Sequence, residues 1–243
     1  MKKKKMVYYI IDIFVVIIII FCLYKIGNWF YDNYKVKKAK DSYKDTQDKV
    51  DDIDISKVKE DTISIKELKK ENEDTVAWLK VNNTKISYPI VRSTDNEYYL
   101  NKSFDKSYNS AGWIFMDYKN KLDGTDKNIV IYGHNRKNGD MFGTLKTTLK
   151  EEWYTNKDNK EILLITENEI QRYEVFSVYE IKNEEYYITT NFIDKNYSDF
   201  LNTIKNRSIY DFNTNVSEDK NILTLSTCSN NDKYRTVLHA IKK

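Results

Sequence analysis

The sequence predicts a mainly β domain, an antiparallel barrel or sandwich, carried behind an N-terminal membrane helix. The β domain follows from short apolar or alternating runs that recur from residue 76 onward, and from the Asn, Asp and Gly residues that punctuate them. The anchor follows from a lysine cluster at residues 2–5 that precedes an almost unbroken apolar run at residues 6–23.

That apolar run is long enough to cross the roughly 30 Å hydrocarbon layer as a helix. Tyr8, Tyr9, Tyr24 and Trp29 sit near its two ends, where aromatic belts form. Asp12 lies near the basic end, within reach of the headgroups. The basic cluster ahead of the run puts the N-terminus in the cytoplasm and the rest of the chain outside, although Lys25, Lys35, Lys37 and Lys38 pull weakly the other way. Cleavage as a signal peptide is the alternative, but no small-x-small site follows the run. Cys22 reads as an apolar residue of the span, because the bulky Phe21 before it does not suit a lipoprotein signal. Residues 1–30 are thus the cytoplasmic tip and anchor of a single-pass membrane protein.

Residues 31–62 are rich in Lys and Asp with scattered apolar positions, and they predict a partly helical stalk. Ile63, Ile65 and Leu68 predict a second helix over residues 63–72, opening a domain that fills residues 63–243. Strand-like runs follow at residues 77–81, 86–91, 113–116, 129–132, 161–166, 173–181, 222–227 and 236–241. One segment breaks that pattern. Tyr197, Phe200, Leu201 and Ile204 fall at i, i+3, i+4 and i+7, which predicts an amphipathic helix. It would either wall a groove ahead of the last strand pair or cover an open barrel end.

The chain of 243 residues suits one domain plus an anchor. Aromatic residues make up 14% of it, including 20 Tyr, which is enough for a real core despite 32% charge. The net charge is only +3, with acids and bases interleaved, so nucleic acid is not a favoured partner. Among 40 basic residues the arginines are Arg92, Arg136, Arg172, Arg207 and Arg235. Most read as surface charges, but where Lys is the default cation an Arg can mark a need for the planar fork.

Two Cys and two His leave few candidates for chemistry, and several-ligand zinc sites are excluded by count. No metal or cofactor motif is present. Cys228 is the lone Cys of the exported part, with no partner for an internal disulfide. It ends the strand at residues 222–227. Residues 229–233 read as a turn, and the returning strand brings Arg235 nearly opposite Cys228. A guanidinium beside a thiol favours the thiolate, and it can hold a carbonyl or an oxyanion. His134 ends another strand, with Gly133 allowing a sharp exit, and His is the usual proton carrier for a Cys nucleophile. His239, flanked by Leu238 and Ala240, reads as a packed strand residue whose parity still matches Arg235.

These residues resemble a known family. The run Thr224-Leu225-Ser226-Thr227-Cys228 followed by Arg235 is similar to the TLxTC…R signature of sortases, and Tyr132-Gly133-His134-Asn135 resembles their His motif. Three stretches, Thr75-Val76-Ala77-Trp78-Leu79, Ile86-Ser87-Tyr88-Pro89-Ile90-Val91 and Asp95-Asn96-Glu97-Tyr98-Tyr99-Leu100, resemble the class B branch, as does a helix before the Cys strand. The resemblance implies an eight-stranded β-barrel and a cysteine transpeptidase that needs no cofactor. Cys228 would attack a Thr carbonyl in the C-terminal sorting motif of a secreted protein. His134 would move the protons and Arg235 would hold the substrate or the oxyanion. An amine of peptidoglycan or its precursor would then take the acyl group, with hydrolysis as a side reaction. By the same resemblance Asn96, Leu100, Thr189 and Ser226 would line the substrate groove, with Thr190 an equal choice to Thr189. The rival readings are another exported cysteine peptidase of the cell wall and a non-catalytic anchored adhesion module.

Overall fold

Eight strands form where the alternating residues lie: β1 (Thr75–Val81), β2 (Ser87–Val91), β3 (Phe115–Met116), β4 (Asn128–His134), β5 (Glu161–Thr166), β6 (Ile170–Lys182), β7 (Ile222–Cys228) and β8 (Tyr234–Lys242). In this computed structural model, residues 2–51, 63–192, 196–228 and 233–243 are described. The strands close into a barrel in the order β1-β2-β3-β4-β7-β8-β6-β5. Closure pairs every strand on both sides, so the described barrel offers no open edge to another chain.

The barrel is not wholly antiparallel, as the sequence pattern suggested. Strands β2 and β3 pair parallel, and so do β4 and β7. Parallel neighbours need a long crossover, and the one from β4 to β7 carries β5, β6 and two α-helices. Strand β3 is shorter than the run at 113–116, because the Trp113 amide leaves the ladder to donate to the Tyr99 carbonyl at 2.9 Å.

Among the described residues four α-helices accompany the strands: α1 (Lys2–Asp51), α2 (Ile65–Glu71), α3 (Glu151–Tyr154) and α4 (Tyr197–Asn206). Ser64 caps α2 by accepting from the Glu67 amide, and Ile65 and Leu68 are buried beneath it. Helix α1 passes residue 30 without a break, and its Met6–Lys38 stretch is long and apolar enough to cross a membrane. Stalk residues 52–62 and most of the turn after Cys228 lie outside the described residues.

Strand alternation splits the apolar residues into two cores. Leu223 and Leu225 of β7 and Leu238 and Ala240 of β8 join the larger cluster, with Leu79 and Ile131. Their sequence neighbours Ile222, Val237 and Ile241 face the other way. There they meet Phe200, Leu201 and Ile204 of α4. The helix therefore neither caps a barrel end nor lines the main groove. It seals the outer face of the last strands.

Leu225 sits in the central strand with no exposed surface. Leu225→Ala should destabilise the fold by about 2–5 kcal/mol, through lost transfer free energy and a residual cavity. Denaturant unfolding should show a lower midpoint with an unchanged slope.

Candidate active site

Strands β4 and β7 run parallel and in register, from Asn128↔Ile222 to His134↔Cys228. Both strands therefore reach their C-terminal ends at one rim of the barrel. Strand β8 returns antiparallel along β7, with Leu225↔Leu238 and Ser226↔Val237 paired. Carried on by two residues, that register sets the backbone of Arg235 opposite that of Cys228. The three residues singled out for chemistry thus occupy adjacent strands at the same rim.

The His134 seat is well defined. Its Nε2 lies 2.9 Å from the Leu100 carbonyl oxygen. A carbonyl can only accept, so Nε2 carries the hydrogen, and Nδ1 is the basic nitrogen of the neutral ring. Burial pushes this imidazole below its ordinary value. The Leu100 carbonyl opposes that shift, and the charges of Arg136 and Arg235 reinforce it. Gly112 closes the seat from beside the ring. It adopts φ +60°, and a Cβ there would stand 2.7 Å from His134 Cδ2 and 2.7 Å from the Leu100 oxygen. Only glycine satisfies both the backbone angle and that approach.

Gly133 plays a different part from the one the sequence suggested. It lies inside β4 rather than at a sharp exit, and it is small because Phe142 packs on it. A Cβ there would meet the Phe142 ring at 2.7 Å. The His134 carbonyl also accepts from the Phe142 amide at 3.0 Å, so one residue braces both His134 and its neighbour.

A cavity of about 670 Å³ opens beside this seat, and Asn96, Leu100, Ser226 and Arg235 all line it. Tyr132, Tyr187, Glu97, Glu184 and Glu185 line it too. Thr189 lies in an adjoining cavity that shares Asn96 and Glu185 with the first, and Thr190 lies there as well. Asn96 is held at both ends of its amide: it donates to Asp117 Oδ2 at 2.9 Å and accepts from the Tyr118 amide at 3.0 Å. Tyr132 donates to the same Asp117 oxygen at 2.9 Å. Ser226 and Tyr187 share a hydroxyl bond of 3.0 Å across the groove floor.

The sortase domain model matches residues 79–243 of the chain. Sortase B of Listeria monocytogenes is 39% identical over 127 residues, which cover 51% of this chain and 50% of that protein. The chain spans about half the length of the curated relatives it matches. Among solved structures, sortase B from B. anthracis is 37% identical with a TM-score of 0.68, covering 73% of this chain and 83% of that one. A Staphylococcus aureus sortase B–substrate complex is 28% identical with a TM-score of 0.70, covering 86% of this chain and 92% of that one. This chain belongs to the sortase family, in class B.

In this sortase the second histidine is a structural group. His239 is fully buried, and burial, then the Arg207 charge, pushes its imidazole down to about 3. Its hydrogen bonds fix every donor in a buried chain. Asn128 Oδ1 can only accept, so Thr224 Oγ1 donates to it at 2.7 Å. Thr224 must then accept from His239 Nδ1–H at 2.8 Å, which leaves His239 Nε2 to accept from the Tyr179 hydroxyl at 2.8 Å. At the far end Asn128 Nδ2 donates to the Thr189 carbonyl at 2.9 Å. The chain ties β6, β8, β7 and β4 to the segment that borders the groove.

Sequence reasoning missed Gly112, Asp117, Tyr132 and Tyr187. For Gly112 the signal was scarcity: the chain has six glycines, and one placed in Ala111-Gly112-Trp113 needs a reason. Tyr132 stood in the His motif without a role of its own, and Asp117 and Tyr187 carried no mark among many Asp and Tyr residues.

The His239 environment gives a pH test. Unfolded, the ring protonates near its ordinary value; folded, it does so only near 3. The unfolded state binds the extra proton between those values, so the stability present above about pH 6.5 is lost as pH falls. His239→Gln should flatten the slope of unfolding free energy in that window by about 1.4 kcal/mol per pH unit. An unchanged slope, measured by denaturation at a series of pH values, would mean that His239 takes up its proton in the folded protein.

Proposed function

We propose that this class B sortase is a membrane-anchored cysteine transpeptidase. It would cleave a C-terminal sorting motif at a Thr carbonyl and pass the protein to an amine of peptidoglycan or its precursor. The observation that carries this reading is the shared register of β4, β7 and β8, which sets residues 134, 228 and 235 on neighbouring strands at one barrel rim. The apolar Met6–Lys38 stretch supports an anchor, with the N-terminus in the cytoplasm and the barrel outside.

The proton path follows from the tautomer. As the Cys228 sulfur attacks the Thr carbonyl carbon, the thiol proton passes to His134 Nδ1. Arg235 offers its guanidinium to the oxygen that gains charge. Collapse of the tetrahedral intermediate breaks the peptide bond, and His134 gives the proton to the departing amine. A thioester then joins Cys228 to the protein. The incoming amine attacks that thioester, its proton goes to His134 Nδ1, and the new amide forms as the sulfur leaves and recovers the proton. Water in place of the amine gives the hydrolytic side reaction. The lowered affinity of His134 for protons suits a ring that must be neutral at the start. Asn96, Leu100, Thr189 and Ser226 would contact the peptide along the groove, with clients supplied as secreted proteins bearing the motif.

Fluorogenic peptides with candidate sorting motifs, offered with and without an amine acceptor, test this reading. Wild type should cleave one class of them and transfer the acyl group to the amine. Cys228→Ala and His134→Ala should be inactive, whereas His239→Ala should lose stability first. Arg235→Lys should lose roughly a hundredfold in rate, because a point charge cannot reproduce the planar fork. Hydrolysis without any transfer would favour the peptidase reading. Equal inertness of wild type and Cys228→Ala across a broad panel would sink the enzyme reading altogether.

The pH profile supplies a second check. Acid protonates the His134 ring, so turnover should fall below a midpoint that lies under the ordinary histidine value of about 6.5. A midpoint at or above that value would remove the buried neutral ring from the mechanism.

A further inference from the structure

Helix α1 does more than lead into the domain. Its turn at residues 32–36, at the C-terminal end of the Met6–Lys38 stretch, is docked on the barrel. Val36 is buried to 2% exposure and joins the larger of the two hydrophobic clusters. Asn33 Oδ1 accepts from Arg136 Nη2 at 2.9 Å. Lys35 Nζ donates to Ser107 Oγ at 3.0 Å, and the Asp32 carboxylate accepts from the Ser110 hydroxyl. The Asp32 carbonyl accepts from Asn109 Nδ2 at 3.4 Å.

Those partners fall on the two segments that flank His134. Arg136 lies two residues beyond it, and its amide donates to the His134 carbonyl at 3.1 Å. Its Nε is buried without a hydrogen-bond partner among the described residues. With the Nε buried and unpaired, the Nη2 contact to Asn33 counts for more in holding this half-buried side chain. Residues 107–110 lead directly into Gly112. Asn109 sets that turn: its carbonyl accepts from the Gly112 amide at 3.0 Å, and its side chain accepts from the Ala111 amide at 2.9 Å. Gly112 in turn abuts the imidazole edge. One turn of α1 therefore grips both sides of the histidine seat.

We propose that Asp32, Asn33 and Val36 are positioning residues for His134, so that docking of the anchor helix completes the proton-transfer geometry. The inference rests on the role given to His134 above. It has a physical basis in how steeply rate depends on the placement of a catalytic group. It also means that a barrel cut free of α1 is an impaired enzyme even though its core is intact.

The test uses the full chain in detergent micelles. Val36→Asp, and separately the double variant Asp32→Ala with Asn33→Ala, should undock the turn. Each should lower kcat by about tenfold or more while leaving KM for the peptide nearly unchanged. Val36→Ile should retain wild-type turnover. The chain has two histidines, and His239 is buried and shielded from titration, so the imidazole signals in an NMR titration separate cleanly. Undocking should open the seat to water and move the His134 midpoint upward, with Arg136 and Arg235 the charged groups that face the ring. Hydrogen exchange of residues 107–112 should speed up in the same variants. Unchanged kcat and an unchanged His134 midpoint in variants whose 107–112 amides exchange faster would overturn the proposal. A wild-type chain inert on every peptide would instead defeat the transpeptidase reading, and the NMR titration would still decide whether α1 holds the seat.

Discussion

His134 and Cys228 come to one rim because β4 and β7 run parallel. Had the pair been antiparallel, the C-terminal ends of two seven-residue strands would lie about 20 Å apart. Parallel pairing also dictates the long crossover between them, and that crossover is used. It carries β5 and β6, which complete the barrel, and α4, which seals its outer face. It also carries residues 183–188, which wall the groove. Strand β8 then runs back antiparallel along β7, so its first residues arrive beside the same rim. The position of all three candidate catalytic residues thus follows from one pairing and one hairpin.

The groove inherits its rigidity from the same sheet. The chain from Tyr179 through His239, Thr224 and Asn128 to the Thr189 carbonyl crosses four strands, and each link has its donor fixed. A buried network with every member satisfied adds order, whereas one with a member left over would weaken the fold. His239 is held neutral by its burial and then by the Arg207 charge, and the neutral ring lets its Nε2 accept from Tyr179. Asp117 does comparable work on the opposite wall, where it holds both Asn96 and Tyr132.

Much of this was legible in the sequence, and the reasons for the gaps are physical. The two-residue period marks strands because it reports local burial, and each predicted run became a strand, the run at 161–166 with its own ends and the others with shifted ones. That period says nothing about which strand pairs with which, so the parallel pairs were invisible. Gly133 was read as a turn residue because glycine serves two needs, unusual backbone angles and close approach, and the sequence does not say which. The docking of α1 joins residues some 70 to 100 positions apart, such as Lys35 with Ser107 and Asn33 with Arg136. No local pattern encodes such a contact. Val36 in a Lys-rich stretch looked like one more scattered apolar residue.

The two cores explain why a polar site can persist on this barrel. Interior residues such as Leu223, Leu225, Leu238 and Ala240 pack with no exposed surface, and their burial does not depend on the groove. The outer face of the same strands mixes the two kinds: Ile222, Val237 and Ile241 pack under α4, Thr224 and Ser226 alternate with them in the register, and Arg235 follows at the rim. Substitutions on the rim therefore alter the groove without opening the core. The histidine seat differs, because its walls are backbone: the Leu100 carbonyl accepts from the ring, and Gly112 brings its own backbone against the ring edge. A seat built from backbone is only as firm as the segments that carry it. Leu100 ends a short 3-10 helix and Gly112 lies on a loop, and in this chain the turn of α1 at residues 32–36 grips the segment that leads into Gly112.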